Sequence, residues 1–322
     1  MTLPKKRLRT MSRVRDRVPG LLRTLAYSDG VNAVSRHSRS RSALTAHGAL
    51  RVPEVAVAFW IVKGLSTAMG ESTSDALVNS SLGAPVAVVF GFAAFAAALY
   101  LQFKQARYRA WSYWLAVCGV GVFGTMAADV MHVALHVPYT ASTIFYAVVL
   151  AAVFFSWQRT ENTLSIHSID TPRREAFYWA AVVATFAMGT ALGDFTANTL
   201  KLGYLPSATL FAGIILIPLI GWRVLHWNPV LCFWSAYVVT RPLGASIADG
   251  LAKPKNISGM NLGDGPVAGA LAAAIILMVV YLSVTKKDVQ QEPVLEGHQG
   301  QPGQPGQYDG GGSALPAATQ QW

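Results

Sequence analysis

The chain has 322 residues, of which 52% are hydrophobic and 13% are charged, and its formal net charge is +10. It contains eight runs of about 18 or more mostly apolar residues, which are long enough to cross a bilayer and exclude a soluble globular protein. The positive charge does not indicate a nucleic-acid partner, because it is concentrated before the first apolar run and in alternate loops. The lipid bilayer is the expected partner.

Residues 1–50 form a basic arm ahead of the first apolar run. Twelve of the 26 Lys and Arg residues lie within the first 51 positions. No apolar stretch of signal-peptide length follows the basic start. We expect a disordered cytoplasmic arm that lies against anionic lipid, with a regulatory or partner-binding arm as the alternative.

Residues 51–286 are interpreted as a membrane domain, and the predicted fold class is an all-α polytopic protein with eight transmembrane helices. The spans are expected at roughly 55–74, 85–103, 111–131, 139–158, 176–196, 206–222, 229–249 and 266–285. Basic residues fill every second loop, so the positive-inside rule predicts a protein of the inner (plasma) membrane with both termini in the cytoplasm. Eight tryptophans at cytoplasmic helix ends are expected to be interfacial anchors: Trp60, Trp111, Trp114, Trp157, Trp179, Trp222, Trp227 and Trp234.

Three landmarks recur in the same register in four segments, at about 55–105, 109–160, 174–223 and 229–285. Each segment opens on an aromatic–tryptophan pair, with a glycine ten residues after the tryptophan and an aspartate five residues further on. These residues are Trp60, Trp114, Trp179 and Trp234; Gly70, Gly124, Gly189 and Gly244; and Asp75, Asp129, Asp194 and Asp249.

Each repeat continues into a second apolar run, so every copy crosses the membrane twice and all four copies share one orientation. The separation of tryptophan and aspartate corresponds to about 22 Å of helix, which puts all four aspartates at one depth in the outer third of the membrane. The glycines are expected to allow close helix packing. The sequence does not decide between a ring of four repeats and two pseudo-dimers.

Prolines give two further expectations about the spans. Four of them fall in the first turn of a second helix, where the missing N–H is tolerated: Pro85, Pro138, Pro206 and Pro266. Pro218 is expected to kink the sixth span. Pro242 follows Arg241 and is expected to kink or break the seventh span, as in transporter sites where freed carbonyls coordinate ions.

The aspartates belong to polar stripes with a spacing of four residues, which is one helix face. The first repeat carries Lys63, Thr67, Glu71 and Asp75 on such a stripe. Thr125 and Thr190 precede Asp129 and Asp194 in the same way, and Arg241 lies two turns before Asp249.

Glu71 and the four aspartates are therefore the candidate ion- or proton-binding residues, with Lys63 and Arg241 as counter-charges. Ionisable groups inside a membrane are functional candidates, and five acids against two bases attract cations or hold protons. The leading hypothesis is a transporter or channel for a divalent cation, either Mg²⁺, Mn²⁺ or Ca²⁺, or one coupled to protons.

Two alternatives stay open at this point. The aspartates could be helix caps and turn formers in a non-transporting membrane anchor or interaction protein, with Glu71, Lys63 and Arg241 as structural ion pairs. A membrane-embedded enzyme is least expected, because Asn261 stands where the Gly-x-Gly-Asp pattern of intramembrane aspartyl proteases requires its first glycine. We expect no catalytic residues and no cofactor.

His132 and His136 follow Asp129 at helical spacing and form a second candidate metal site. The alternative is that both histidines are ordinary residues of an outer loop. Cys118 and Cys232 lie inside spans at unrelated repeat positions and are expected to be free, packed thiols. Residues 287–322 contain Gly-Gln-Pro repeats and are expected to form a disordered tail.

The repeat resembles that of a bacterial membrane-protein family built of four tandem two-helix copies of unknown function, each with a characteristic tryptophan. Trp60, Trp114, Trp179 and Trp234 match that tryptophan. The segments 164–169, 171–175 and 240–246 also look like stretches of the family. The resemblance covers roughly residues 51–286. It implies an eight-helix bacterial integral membrane protein and supplies no substrate.

Overall fold

The computed structural model describes residues 50–290, and all the regular secondary structure in this range is helical. The helices are α1 (Val57–Val78), α2 (Ala84–Phe103), α3 (Ala110–Asp129), α4 (Tyr139–Glu161), α5 (Pro172–Asp194), α6 (Tyr204–Ile214), α7 (Leu216–Arg223), α8 (Pro229–Ala252) and α9 (Asp264–Thr285). The helices α6 and α7 together form the sixth predicted span, so the predicted all-α fold of long apolar helices is confirmed. The predictions for the basic arm up to residue 49 and for the tail beyond residue 290 lie outside the described residues.

Seven of the eight spans are long and apolar enough to cross a membrane. The eighth is α1, which has 22 residues but carries Lys63, Glu71 and Asp75. Its polar side chains face the interior of the domain, where Lys63 and Glu71 are buried. The least apolar span is therefore covered by protein rather than by lipid.

The helix ends and breaks follow the proline and glycine positions. Glycines with positive φ precede α2, α6 and α9, and the predicted prolines lie at the beginning of the second helix of each repeat. The sixth span is interrupted at Ile215, three residues before Pro218, as expected from the clash of a proline ring with the preceding turn. Pro242 was expected to kink or break the seventh span, and it does not break it: α8 runs unbroken from Pro229 to Ala252.

The first helices of the four repeats form a ring. α1 packs on α3, α3 on α5, α5 on α8, and α8 closes the ring on α1. The second helices lie outside this ring, and each packs most extensively on the inner helix of the following repeat. The outer contacts are α2 on α3, α4 on α5, α6 on α8 and α9 on α1. The four parallel repeats therefore form a closed pseudo-fourfold ring, with an axis along its centre.

The repeated glycines are the points at which neighbouring inner helices approach most closely. Each one lies against the residue three positions before the glycine of the next repeat. The pairs are Gly70 with Gly121, Gly124 with Phe186, Gly189 with Arg241, and Gly244 with Thr67. A Cβ atom on Gly70 would lie 2.6 Å from the carbonyl carbon of Gly121, which leaves no room for a side chain. The expected packing role of these glycines is confirmed.

Four of the predicted interfacial tryptophans instead belong to the core. Trp114, Trp157, Trp179 and Trp234 are buried, and they pack with Phe59, Tyr113, Tyr178 and Phe233 at one end of the ring. The interfacial interpretation is wrong for these four, because their rings point toward neighbouring helices. It fits Trp111, Trp222 and Trp227, which are exposed, while Trp60 is half-buried.

The same end of the ring is crossed by the chain segments that enter and leave the domain. Backbone hydrogen bonds join Leu50 to Tyr108 and Glu54 to Asp288. Asp288 and Gln290, which we assigned to the tail, instead pack on the domain: Asp288 is 2% exposed, and Gln290 donates to the carbonyls of residues 52 and 53. The ordered domain therefore extends past the predicted boundary at residue 286.

Arg51 and Glu175 connect these segments to the helices. The Arg51 guanidinium lies 2.6 Å from the buried Glu175 carboxylate, which also accepts a hydrogen bond of 3.0 Å from Gln102. Ser112 donates to Gln102 at 2.9 Å. The end opposite the aspartates is thus closed by paired charges and aromatic rings.

Candidate ion site on the repeat axis

The side chains that face the axis come from positions four residues apart on each inner helix, so they stack in layers about one helical turn apart. The aromatic layer contains Phe59, Tyr113, Tyr178 and Phe233, and the next layer contains Lys63, Val117, Val182 and Tyr237. The third contains Thr67, Gly121, Phe186 and Arg241, the fourth contains Glu71, Thr125, Thr190 and Ala245, and the last is the acid layer of Asp75, Asp129, Asp194 and Asp249. The first four layers are buried, whereas three of the four aspartates are only half-buried.

Arg241 connects all four repeats at the centre of the axis. Its Nη2 lies 2.8 Å from Glu71 Oε2 and donates to the hydroxyl oxygens of Thr125 and Thr190, the latter at 2.6 Å. Its Nη1 donates to the carbonyl oxygen of Thr67 at 3.3 Å. We call this set of acceptors the guanidinium cage. Glu71, Thr125 and Thr190 are equivalent residues of the first three repeats, so Arg241 binds the same position in every repeat except its own.

The sequence pattern identified Arg241 and Glu71 but did not show that they pair. Both side chains are withdrawn from solvent, with 0% of Arg241 and 4% of Glu71 exposed. A buried ion pair needs extra hydrogen bonds to offset desolvation, and the two threonines supply them here. The stem of Arg241 fits only because Gly189 has no side chain at the point of contact.

Lys63 lies one layer further from the acids and is also fully buried. Its Nζ donates to the Thr67 hydroxyl at 3.3 Å and lies 4.1 Å and 4.2 Å from the ring centroids of Phe186 and Tyr237. Among the described residues, no carboxylate oxygen lies within ion-pair distance of Lys63. The predicted counter-charge role is therefore fulfilled by Arg241, whereas the Lys63 amino group lies over two aromatic rings.

The acid layer and Glu71 form the most acidic part of the described interior. Carboxylate oxygens of Glu71, Asp75 and Asp249 all lie within 4.8 Å of one another, an arrangement that can hold a metal ion. Asp249 is 6% exposed, and its carboxylate accepts no hydrogen bond from any described residue. A buried carboxylate without a donor is unfavourable unless it binds a cation or a proton.

Lys253 partly compensates the acid layer from the loop that follows α8. Its Nζ forms an ion pair with Asp75 and lies 3.3 Å from Asp264 Oδ1. Burial lowers the pKa of Lys253, but the carboxylates of Asp75 and Asp249 raise it further, so its pKa lies above the ordinary value and the ammonium stays charged. The sequence offered no signal for this role, because Lys253 lies outside the repeated landmarks.

Asp129 and Asp194 face the same region from α3 and α5. Their carboxylates interact electrostatically with Glu71 and Asp75, and Asp129 also interacts with Asp194. Each is the last residue of its α-helix and is followed by a single π-helical turn, at Val130–Ala134 and Phe195–Thr199. Neither side chain caps the turn that follows it. The geometry thus gives these two acids no helix-capping role.

The two histidines do not join Asp129 in a ligand set. The Nδ1 of His132 lies 2.9 Å from the carbonyl oxygen of Val137, and its ring stacks on Tyr139. His136 is exposed and has a positive φ. In the part of the chain that the structure describes, the residues with metal-ligand geometry are Glu71, Asp75 and Asp249 instead. Cys118 and Cys232 are free thiols, as expected.

These features define an α-helical membrane protein of four parallel two-helix repeats around an axis that is acidic at one end. The family model described as Repeat of Unknown Function (DUF347) matches residues 58–108, 112–163, 177–226 and 232–288. The chain therefore belongs to this repeat family, and the four-repeat resemblance is confirmed. No curated protein and no solved structure matches the chain.

Proposed function

We propose that this chain transports a cation across the membrane, with Glu71 and the acid layer as the binding site. The observation that carries the proposal is the convergence of five carboxylates at one end of the axis. Arg241 and Lys253 pair with two of these carboxylates, Glu71 and Asp75, whereas Asp249 is buried without a donor among the described residues. Such a region favours cations or bound protons over anions.

The ligand chemistry favours a hard divalent cation. Glu71, Asp75 and Asp249 present only carboxylate oxygens, which suit Mg²⁺, Mn²⁺ and Ca²⁺ better than soft metals. Asp129 and Asp194 face the same axis from the neighbouring helices, and their carboxylates provide further oxygens for a cation or further proton acceptors. Exchange of the cation for protons is therefore part of the proposal.

The closed inner half of the axis favours a carrier over an open channel. The layers that contain Lys63, Arg241 and the aromatic rings are packed and buried, so the described side chains fill the inner half of the axis in this conformation. By the positive-inside rule, both termini are cytoplasmic and the acid layer faces the outside of the inner (plasma) membrane. In that orientation the conformation described is closed toward the cytoplasm.

The test is flux into proteoliposomes that contain the purified full-length protein, with a panel of Mg²⁺, Mn²⁺ and Ca²⁺ and a pH-sensitive dye inside. We expect the wild type to take up the cation. Uptake should be lost in Asp129→Asn, Asp194→Asn and Asp249→Asn, and each variant should still elute as a folded protein, as the wild type does. Asp170→Asn is the matched control, because Asp170 pairs with Arg174 near the cytoplasmic end and away from the axis. The absence of flux for every ion, with monodisperse protein, would contradict transport and favour a membrane anchor.

A further inference from the structure

The Glu71 carboxylate takes part in two groups of side chains at once. It accepts from Arg241 in the guanidinium cage, at 2.8 Å, and it is one of the three carboxylates that meet within 4.8 Å. A carboxylate that binds a divalent cation gives up part of its negative charge to that ion, which weakens its attraction for a guanidinium. The cation and Arg241 therefore compete for the same side chain.

Arg241 also fills the axis at the level of the third layer. It contacts the first three repeats through Glu71, Thr125 and Thr190, and none of its surface is exposed. Its position is specific to the fourth repeat: the equivalent residues are Thr67, Gly121 and Phe186. An arginine placed here closes the axis with a positive charge, which repels any cation that passes the acid layer.

We propose that Arg241 is a tethered cation that closes the axis and competes with the transported cation for Glu71. A cation bound by Glu71, Asp75 and Asp249 loosens the guanidinium cage, so site occupancy and opening of the axis are coupled. This inference rests on the proposed function, and it adds the residue through which binding is converted into opening. Asp249, which is 6% exposed and receives no hydrogen bond from any described residue, is the second observation that identifies the acid cluster as a cation site.

The first test is Mn²⁺ binding to the full-length protein in lipid nanodiscs, followed by the electron paramagnetic resonance signal of free Mn²⁺. Removal of the competitor in Arg241→Gln is expected to raise the Mn²⁺ affinity about tenfold, within the range of ordinary coupling between sites. Lys63→Met is the matched control, because it removes the other buried basic side chain of the axis, which makes no contact with Glu71. An equal rise in Mn²⁺ affinity in the two variants would overturn the inference.

Arg241→Gln leaves the Glu71 carboxylate without its guanidinium partner, which can prevent folding. A second variant therefore tests the same competition without removing a charge. Thr190→Val keeps the size of the side chain and all formal charges but removes the acceptor that lies 2.6 Å from Arg241. It is expected to raise the Mn²⁺ affinity by about fivefold at most. An unchanged affinity in both variants overturns the competition with Arg241 while the proposed transport site stands.

Closure of the axis is tested separately in proteoliposomes. In Arg241→Ala, free guanidinium ion is expected to enter vesicles about tenfold faster than in wild type, because the cage that holds this group is vacant. Equal guanidinium entry in both proteins overturns the closing role. The absence of Mn²⁺ binding in wild type and all variants overturns the proposed divalent site together with the competition at Glu71.

Discussion

Arg241 from the fourth repeat and Glu71 from the first meet at the centre of the domain, with Nη2 2.8 Å from Oε2 and both side chains buried. Removal of one partner from a buried ion pair costs about 3–5 kcal/mol, because it leaves the other charge without compensation. We expect Arg241→Met to lower the free energy of unfolding by about this amount, and Glu71→Gln by less, since the threonine hydroxyls still accept from Arg241.

A double-mutant cycle in detergent, followed by thermal unfolding, measures the pair itself. The variant that carries both Arg241→Met and Glu71→Gln is expected to be more stable than Arg241→Met alone, because no charge is left unpaired in the cage. Strictly additive effects of the two substitutions would contradict a direct interaction.

The contact between Gly70 and Gly121 gives a sharp prediction about helix packing. Gly70→Ala places a Cβ atom 2.6 Å from backbone, which cannot move aside as a side chain can. We expect a loss of about 1–3 kcal/mol in stability, typical of overpacking. Gly64→Ala is the control on the same helix, because nothing lies within 4 Å of its Cβ position.

In thermal unfolding, Gly64→Ala should be neutral or slightly stabilising, since alanine is a better helix former than glycine by about 1 kcal/mol. The two substitutions are chemically identical and differ only in the neighbouring helix. A melting temperature for Gly70→Ala equal to that of Gly64→Ala would show that α1 and α3 do not approach as described.

Lys63 is a buried amino group with aromatic neighbours and no carboxylate partner in the described range. Lys63→Met keeps the length of the side chain and removes the desolvated amino group. We expect stability to rise by about 1–2 kcal/mol, as when buried charges are replaced by apolar residues of similar size. Lys104→Met, at an exposed position, should have no measurable effect on thermal unfolding.

Because Lys63 lies on the proposed transport axis, Lys63→Met is expected to lower the cation flux while it raises stability. The flux assay and the unfolding assay on the same preparation separate the two effects. A variant that loses stability would instead show that the cation–π contacts outweigh the desolvation of the ammonium.

Asp288 gives a prediction about pH at the end of the ring opposite the acid layer. Burial raises the pKa of the Asp288 carboxyl, although the hydrogen bond from Tyr108 opposes the shift. A carboxyl whose pKa is raised by folding favours the folded state in its protonated form. Its contribution is present below the ordinary carboxyl pKa and is lost as the pH rises through the raised value.

Asp288→Asn keeps an acceptor for Tyr108 and cannot ionise. It is expected to stabilise the domain by about 1 kcal/mol at neutral pH. The gain should shrink as the pH falls and disappear below about pH 3, where the wild-type carboxyl is protonated in both the folded and the unfolded state. Melting temperatures of wild type and Asp288→Asn between about pH 3 and pH 8 measure the difference. A gain that is constant over this range would show that ionisation of Asp288 is not its cause.

The sequence predicted the spans, the repeat and the axial stripe because all three depend on local periodicity. The spacing of Lys63, Thr67, Glu71 and Asp75 by four residues is enough to place them on one face of α1. The interruption before Pro218 also has a local cause, the missing N–H and the bulk of its ring. Such features need no knowledge of neighbouring helices.

The errors concern contacts between repeats. Trp114 and Trp179 were expected at the lipid interface, since the sequence shows only that they lie near helix ends and not which side of the helix faces protein. The pairing of Arg241 with Glu71 depends on closure of the ring between the last and first repeats. Likewise α8 continues through Pro242 in spite of the missing hydrogen bond, and there the proline packs on α5 at Gly189.

The inner helices follow one another around the ring in the order of their synthesis, but closure of the ring joins the last repeat to the first, and this affects biogenesis. α1 is made first and carries Lys63, Glu71 and Asp75, yet α8 and α9, which cover it and supply Arg241, are made last. The outer helices of the first three repeats pack mainly on the repeat that follows in the chain, so none of these three repeats is complete before its successor has been inserted. The most polar span thus enters the bilayer without its permanent neighbours, and its final environment is formed only when the ribosome has finished the domain.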